Sequence, residues 1–258
     1  MRLFSQVSSQ ARRKVPRLFE RGSYHREPRV MMFDADGVLF RTDITAAHAI
    51  RRTAVQLEMK PIPTFADARL RAVDFLRRGR SAPEAYAEMY PVEAQDEKWL
   101  KNAVRIFVEA YQEFDVEHTQ LYPEVEETLK ALCGQDKHLF VVSKKDAGQL
   151  DETLKRLGIK DCFVELYGDR PGQAHKPDPL IFNKKILPRY HDVKREEVLM
   201  VGDSLSADGA FAKNCGVPFC WAAYGYGQEG ESNCPIDFSI SNFSDLKCCL
   251  SPSIINTP

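Results

Sequence analysis

Four acidic residues, in two pairs, have the types and spacing needed to hold a divalent cation. Asp34 and Asp36 directly follow an apolar run and stand two residues apart, so on an extended chain they point to the same side. Asp203 and Asp208 follow a second apolar run. Carboxylates that converge on one crevice repel each other unless a cation lies between them. Oxygen ligands without a His or Cys partner suit Mg²⁺, so these residues predict a Mg²⁺ site.

The same residues could transfer a phosphoryl group. A carboxylate with an unperturbed pKa of about 3.9 is ionised at pH 7 and can attack phosphorus once the phosphate charge is neutralised. Lys176 and Mg²⁺ are candidates for that neutralisation, and Ser143 for a hydrogen bond to a non-bridging oxygen. Lys144 and Lys145 are rival neutralising groups. Hydrolysis of the resulting acyl phosphate needs an acid and a base, and Asp36 is placed to serve as both.

These side chains lie at or near the carboxyl ends of predicted strands, where ligands bind in open α/β sheets. Short apolar runs bounded by turn residues predict strands at 30–33, 139–142, 198–201, 218–223 and, more weakly, 238–240. Helical patterns lie between strands at 125–132, 150–157 and 207–215. This alternation predicts an α/β fold with a doubly wound parallel sheet.

One long segment, residues 43–118, breaks the alternation because it carries helical patterns throughout. Its predicted helices are 44–59, 65–78, 83–90 and 99–114, with prolines at breaks. An all-helical segment directly after the first strand predicts a second small domain over the carboxyl edge of the sheet. The predicted division is a basic tail (1–29), an α/β core (30–42 and 119–258) and a helical cap (43–118).

Together, the ordered motifs resemble those of the haloacid dehalogenase-like hydrolase superfamily, over residues 30 to about 245. The motifs are DxDG, a Ser after a strand, a Lys in a KPxP setting, and GDxxxxD. In this chain they are carried by Asp34, Asp36 and Gly37, by Ser143, by Lys176, and by Gly202, Asp203 and Asp208. The resemblance implies a Rossmann-like core, a helical cap that closes over small substrates, and Mg²⁺.

Position by position, the resemblance also implies roles. Asp34 is implied as the nucleophile and a metal ligand. Asp36 is implied as the acid/base, with its backbone carbonyl offered to Mg²⁺. Asp203 is implied as a further metal ligand, and Asp208 as a residue that supports the metal site. Ser143 and Lys176, of the second and third motifs, remain the candidates for binding the phosphate.

Two departures from the family pattern leave the subfamily open. Val38 stands where phosphatases usually have Thr, as also occurs in β-phosphoglucomutase-like members, and Arg41 stands where an Asp is common. Arg41 and Lys144 are additional candidates for binding the substrate.

We therefore expect a Mg²⁺-dependent phosphatase that hydrolyses a small phosphorylated metabolite through an aspartyl-phosphate. Phosphoglycolate-like or sugar phosphates are the expected substrates, by analogy with the family. The first alternative is a phosphomutase, which uses the same four motifs and excludes water from the intermediate. The second is a non-catalytic binding protein on this fold, which should have lost at least one of the reactive residues.

Composition limits the classes of partner. The 258 residues carry a formal net charge of −1, so no strong field draws the chain to nucleic acid or an anionic membrane. No apolar run approaches the ~18 residues that cross a bilayer. We expect a cytoplasmic monomer or homodimer. Residues 1–29 are rich in Arg and Ser, and either an organelle transit peptide or a solvated basic tail fits them.

Overall fold

Six parallel strands form one sheet in the part of the chain that the structure, a computed structural model, describes: residues 27–230 and 232–249. The strands are β1 (Val30–Phe33), β2 (His138–Asp146), β3 (Glu165–Asp169), β4 (Val198–Gly202), β5 (Phe219–Ala222) and β6 (Phe238–Ile240). Their order is β3-β2-β1-β4-β5-β6, with β1 between β2 and β4. This confirms the predicted doubly wound α/β core. Residues 1–26 of the predicted basic tail lie outside the described residues.

Both faces of the sheet are buried. Along β1, Met31 and Phe33 pack into one apolar cluster while Val30 and Met32 pack into another, and none of them is more than 1% exposed. Side chains alternate in this way because successive residues of a strand point to opposite faces. The helices of the core are α5 (Val125–Cys133), α6 (Ala147–Arg156) and α7 (Ala210–Cys215), the last preceded by a π-helical turn at Leu205–Gly209.

Two features of the sheet differ from the prediction. Strand β3 was not predicted: it is an edge strand whose residues are all only partly buried, so it lacks the continuous apolar run of a central strand. Strand β2 extends four residues beyond the predicted end at 142, so Ser143 lies inside the strand. Pairing with β3 continues to Asp146 after a shift in register, which explains the extra length.

Between β1 and α5 lie four helices, α1 (Thr42–Gln56), α2 (Phe65–Arg77), α3 (Ala82–Met89) and α4 (Glu97–His118). We call the segment 42–118 the helical insert. It has a small apolar cluster of its own, formed mainly by alanines of α1 and α2 with Ile50. The chain enters and leaves the insert through two adjacent segments, where Phe40 bridges Leu121 and the Arg41 N–H donates to the Gln120 carbonyl at 2.8 Å.

No helix in 27–230 or 232–249 has the length and apolar character needed to span a membrane.

Candidate active site

Three carboxylates converge where β1 and β4 end side by side. Asp34 follows β1, and its N–H donates to the carbonyl of Val201 in β4 at 3.0 Å. Asp203 follows β4, and Asp208 lies in the π-helical turn that comes next. One carboxylate oxygen from each of the three residues lies within 4.8 Å of the others. The topology therefore brings together residues from two distant parts of the sequence.

A buried lysine binds two of these carboxylates. Lys176 Nζ lies 2.8 Å from Asp34 Oδ1 and 2.5 Å from Asp208 Oδ1, and its side chain is 2% exposed. The loop that carries it is held by Asn214 of α7, whose Nδ2 donates to the Pro177 carbonyl at 2.9 Å. Lys176 is thus part of the charged cluster and not a solvated loop residue. Burial lowers its pKa, but Asp208 and Asp34 reverse this and leave the pKa raised.

Burial and mutual repulsion make the carboxylates hard to ionise together. The pKa of Asp34 rises to about 6, first because of burial and then because of Asp208. The pKa of Asp203 rises well above its ordinary value for the same reason, with Asp208 and Asp34 as the charged neighbours. One lysine thus leaves the negative charge only partly compensated. A set of three hard oxygen donors with excess negative charge fits Mg²⁺.

Glycines make room for this cluster. A Cβ at Gly37 would lie 2.2 Å from Asp203 Oδ2, and Gly37 has φ +79°, a conformation that strongly favours glycine. A Cβ at Gly202 would lie 2.2 Å from Asp208 Cβ. Asp203 is held in this space by the Tyr226 N–H, which donates to Oδ2 at 2.7 Å. The site is therefore shaped by close backbone approach as well as by charge.

Asp36 lies beside the cluster rather than in it. Its Oδ1 accepts a hydrogen bond from Thr42 Oγ1 at 2.8 Å and lies 3.5 Å from Lys145 Nζ. About a third of its side chain is exposed, more than twice the exposed fraction of Asp34. The two aspartates of the first motif therefore occupy different environments, with Asp34 among the carboxylates and Asp36 facing the helical insert.

Of the two lysines that follow Ser143, Lys145 reaches the site. Its side chain is 4% exposed and its Nζ lies 2.6 Å from Asp115 Oδ1 in α4, on the insert. Lys144, a candidate for substrate binding from the sequence, is exposed. The alternation of strand side chains explains the difference, because Ser143 and Lys145 share one face of β2 and Lys144 lies on the other.

The remaining two candidates occupy different positions. Ser143 is 5% exposed, and its Oγ accepts a hydrogen bond from the Lys145 N–H at 3.2 Å. In the register of β2 against β1, Ser143 lies beside the residues that follow β1. Arg41 lies where the chain enters the insert, with Nη2 4.0 Å from Asp43 Oδ2. Arg41 is thus paired with a carboxylate of the insert and not with the carboxylate cluster at the ends of β1 and β4.

A family model described as haloacid dehalogenase-like hydrolase matches residues 31–222, which is about three quarters of the chain and contains every residue of the cluster. The chain belongs to this family. The resemblance found in the four motifs is thereby confirmed.

Curated relatives include phosphoglycolate phosphatases. That of Vibrio vulnificus is 36% identical over 141 residues, or 55% of this chain and 59% of the relative. That of Pseudomonas fluorescens is 30% identical over 81% of this chain and 74% of the relative. The chain thus spans less than two thirds of the first of these relatives. Among solved structures, a HAD-superfamily hydrolase of subfamily IA from Geobacter sulfurreducens has a TM-score of 0.69 and 20% identity, with coverage of 89% of this chain and 99% of that one.

Asp115 and Tyr226 are among the residues of this haloacid dehalogenase-like site that were not sequence candidates. Asp115 is a buried acid on α4, one turn after Tyr111, which packs against the apolar cluster of the insert. Tyr226 lies in the loop after β5, where it contacts Asp203 through its backbone and Asp43 through its hydroxyl. An acid near the apolar face of a helix was a visible signal for Asp115, although it does not identify the partner. No local pattern points to Tyr226.

Proposed function

We propose that the chain is a Mg²⁺-dependent phosphoric monoester hydrolase that acts through an aspartyl-phosphate on Asp34. The observation that carries this proposal is the buried cluster of three carboxylates and Lys176, with a second acid, Asp36, directly beside it. The curated relatives named phosphoglycolate phosphatase support a phosphate ester as substrate.

In the proposed first step, a carboxylate oxygen of Asp34 attacks phosphorus while the bond to the ester oxygen breaks. Asp36, in its acid form, gives its proton to that oxygen, so the leaving group departs as a neutral alcohol. Lys176 and the Ser143 hydroxyl bind the non-bridging oxygens. Asp34, Asp203, Asp208 and the Asp36 backbone carbonyl would hold Mg²⁺, which would supply neutralisation of the phosphate charge.

In the proposed second step, Asp36 is a carboxylate and takes a proton from the water that attacks phosphorus. The acyl-phosphate bond breaks, Asp34 is regenerated and inorganic phosphate leaves. Using one residue as acid and then as base restores the starting protonation state without a further group. The position of Asp36 beside the cluster, with a third of its side chain exposed, supports this double role.

The helical insert, predicted at 43–118, is proposed to act as the cap. Three contacts between the insert and the core support a role beyond fold stability. Thr42 donates to Asp36. Asp115 of the insert binds Lys145 of the core, and Asp43 of the insert binds Tyr226 of the core. Closure by such a segment excludes bulk water from the reacting phosphate.

Neither alternative is favoured by the site. Val38, the residue that pointed toward a phosphomutase, is fully buried in the apolar core, so its type reflects packing and not substrate. A non-catalytic protein is disfavoured because Asp34, Asp36, Lys176 and Asp203 are all present and all but Asp36 join one cluster.

Phosphate release from acetyl phosphate, p-nitrophenyl phosphate and phosphoglycolate, with Mg²⁺ or EDTA, tests the proposal. We expect Mg²⁺-dependent release that falls by at least about 10³-fold in Asp34→Asn, because the nucleophile is lost. Asp192→Asn, at an exposed position, is the matched control. Release that persists in Asp34→Asn contradicts the proposal. Conversion of a sugar phosphate into an isomer, without release of phosphate and only with a sugar bisphosphate present, contradicts it as well.

A further inference from the structure

The helical insert contains an apolar pocket of about 330 Å³. This volume lies within the range of sites that hold small molecules. All four helices of the insert contribute to its walls. Its apolar lining includes Ile50, Phe75, Leu76, Tyr86, Met89 and Phe107.

Two residues at one end of the apolar pocket connect its lining to Asp36. Thr42, which lines the pocket, donates to Asp36 Oδ1 at 2.8 Å. Tyr111 lines it as well, and Lys145 Nζ, 3.5 Å from Asp36 Oδ1, lies 5.8 Å from the centroid of the Tyr111 ring. Gln149 of α6 contributes the core side of the wall. The apolar pocket is therefore separated by one lining residue, Thr42, from the group that is proposed to protonate the leaving-group oxygen.

Within residues 27–230 and 232–249, the lining of the apolar pocket has no free cation that could pair with a second anionic group of a substrate. Among the described residues of the wall, Arg80 alone carries a formal charge. Its guanidinium is already paired with two carboxylates of α3, with Nε 3.1 Å from Glu88 Oε1 and Nη1 3.9 Å from Glu84 Oε1. A carboxylate placed in the pocket would lose its hydration without gaining a free cation, which is unfavourable.

We propose that the apolar pocket receives an uncharged, apolar leaving group, so that the substrate is a phosphate monoester of an alkyl or aryl alcohol. This inference rests on the proposed function and specifies its substrate class. The ester oxygen lies at Asp36, the phosphate lies at Asp34 and Lys176, and the carbon chain extends between the helices of the insert. Cleavage gives inorganic phosphate and an apolar alcohol. A phosphoglycolate-sized acid, in contrast, places its carboxylate against an apolar wall.

A series of n-alkyl phosphates tests this inference, because ethyl, butyl and hexyl phosphate have almost the same intrinsic reactivity and differ in apolar length. Burial of one methylene corresponds to roughly a fourfold gain. We expect kcat/KM with Mg²⁺ to rise at least tenfold from ethyl to hexyl phosphate. We also expect hexyl phosphate to exceed phosphoglycolate.

A second experiment fills the apolar pocket with larger side chains. Ala72→Leu and Ala85→Leu place a larger side chain at buried positions of the wall, and Ala66→Leu adds the same group on the exposed side of α2. We expect the ratio of kcat/KM for hexyl to ethyl phosphate to fall at least fivefold in the two buried variants and to persist in Ala66→Leu. Circular dichroism identifies variants that fail to fold.

The outcomes separate the two proposals. A flat alkyl series in the wild-type chain, or a clear preference for phosphoglycolate, overturns the apolar leaving group while hydrolysis of acetyl phosphate still supports the phosphatase. No release from any ester, including p-nitrophenyl phosphate, overturns both.

Discussion

At the scale of single residues, two buried lysines divide the carboxylates of the site between them. Lys176 binds Asp34 and Asp208, which belong to the cluster proposed to hold Mg²⁺. Lys145 binds Asp115 and lies near Asp36, the proposed acid/base. The proposed nucleophile and the proposed acid/base thus lie beside separate cations, and the second of these cations also joins the core to the insert.

Replacement of Lys145 by Met should destabilise the fold by about 3 kcal/mol, because Asp115 is left as a buried charge without its partner. It should also lower kcat on the order of tenfold, because Asp36 loses the cation that orients it. Lys144→Met, at the exposed neighbour, should change the free energy of unfolding by less than about 0.5 kcal/mol. Urea unfolding and steady-state kinetics measure both.

A double variant separates the two effects of Lys145. Lys145→Met with Asp115→Leu removes both buried charges, so it should recover most of the lost stability while kcat stays low. Equal stability losses for Lys145→Met and Lys144→Met would show that the Lys145–Asp115 pair is not buried in solution.

Asp203→Asn should abolish stabilisation by Mg²⁺. At ten times its Kd, Mg²⁺ should stabilise the wild-type chain by about 1.4 kcal/mol, a rise in Tm of roughly 3–5 °C. In the metal-free state the variant should melt at the same temperature or higher, because one of three repelling buried carboxylates becomes neutral. Thermal unfolding with Mg²⁺ or EDTA measures this, with Asp192→Asn as the control. If Mg²⁺ raised the Tm of Asp203→Asn as much as that of the wild-type chain, Asp203 would not be a metal ligand.

At the scale of elements, the turn after β1 must approach the end of β4 closely. Gly37→Ala should therefore cost about 1 kcal/mol for its left-handed backbone and also displace Asp203, whose Oδ2 would lie 2.2 Å from the new Cβ. Gly158→Ala, after α6, has φ +70° and nothing within 4 Å of its Cβ. We expect similar backbone strain in both variants, but a loss of kcat/KM on the order of 100-fold only in Gly37→Ala. Full activity in Gly37→Ala would contradict the close approach.

At the scale of the whole molecule, the loop after β5 connects the carboxylate cluster to the helical insert. The Tyr226 N–H binds Asp203, and its hydroxyl donates to Asp43 Oδ1 and accepts the Asp43 N–H, both at 2.9 Å. Asp43 is 3% exposed and also binds Arg69 of α2. Farther along the same loop, Gln228 Nε2 donates to the Arg77 carbonyl at 3.0 Å. One loop therefore contacts both the helical insert and the carboxylate cluster.

Tyr226→Phe removes the hydroxyl that contacts the insert, whereas the contact with Asp203 persists because the backbone N–H remains. We expect a loss of about 1–3 kcal/mol, because buried Asp43 loses two hydrogen bonds, and faster amide hydrogen exchange in α1 and α2. Mg²⁺ stabilisation should persist. Tyr90→Phe, at a partly buried tyrosine of the insert, is the control. If hydrogen exchange is unchanged in Tyr226→Phe, the loop does not hold the insert in place.

The sequence by itself determined the strands that are buried on both faces, the helical insert, and the order of the four motifs. It could do so because apolar runs, helical periodicity and turn residues are local signals. For the same reason it predicted β1 and β6 at their observed bounds and missed β3, an edge strand with no continuous apolar run.

Tertiary structure alone decided which further residues join the motif residues at the site. Lys145 rather than Lys144 enters the site because the face of a strand is defined only once the sheet is packed. Asp115, Asp43 and Tyr226 join the site across long stretches of chain, and no local pattern encodes their partners. The same holds for the pKa of Asp34, about 6, because burial and neighbouring charge are properties of the assembled fold and not of the residue.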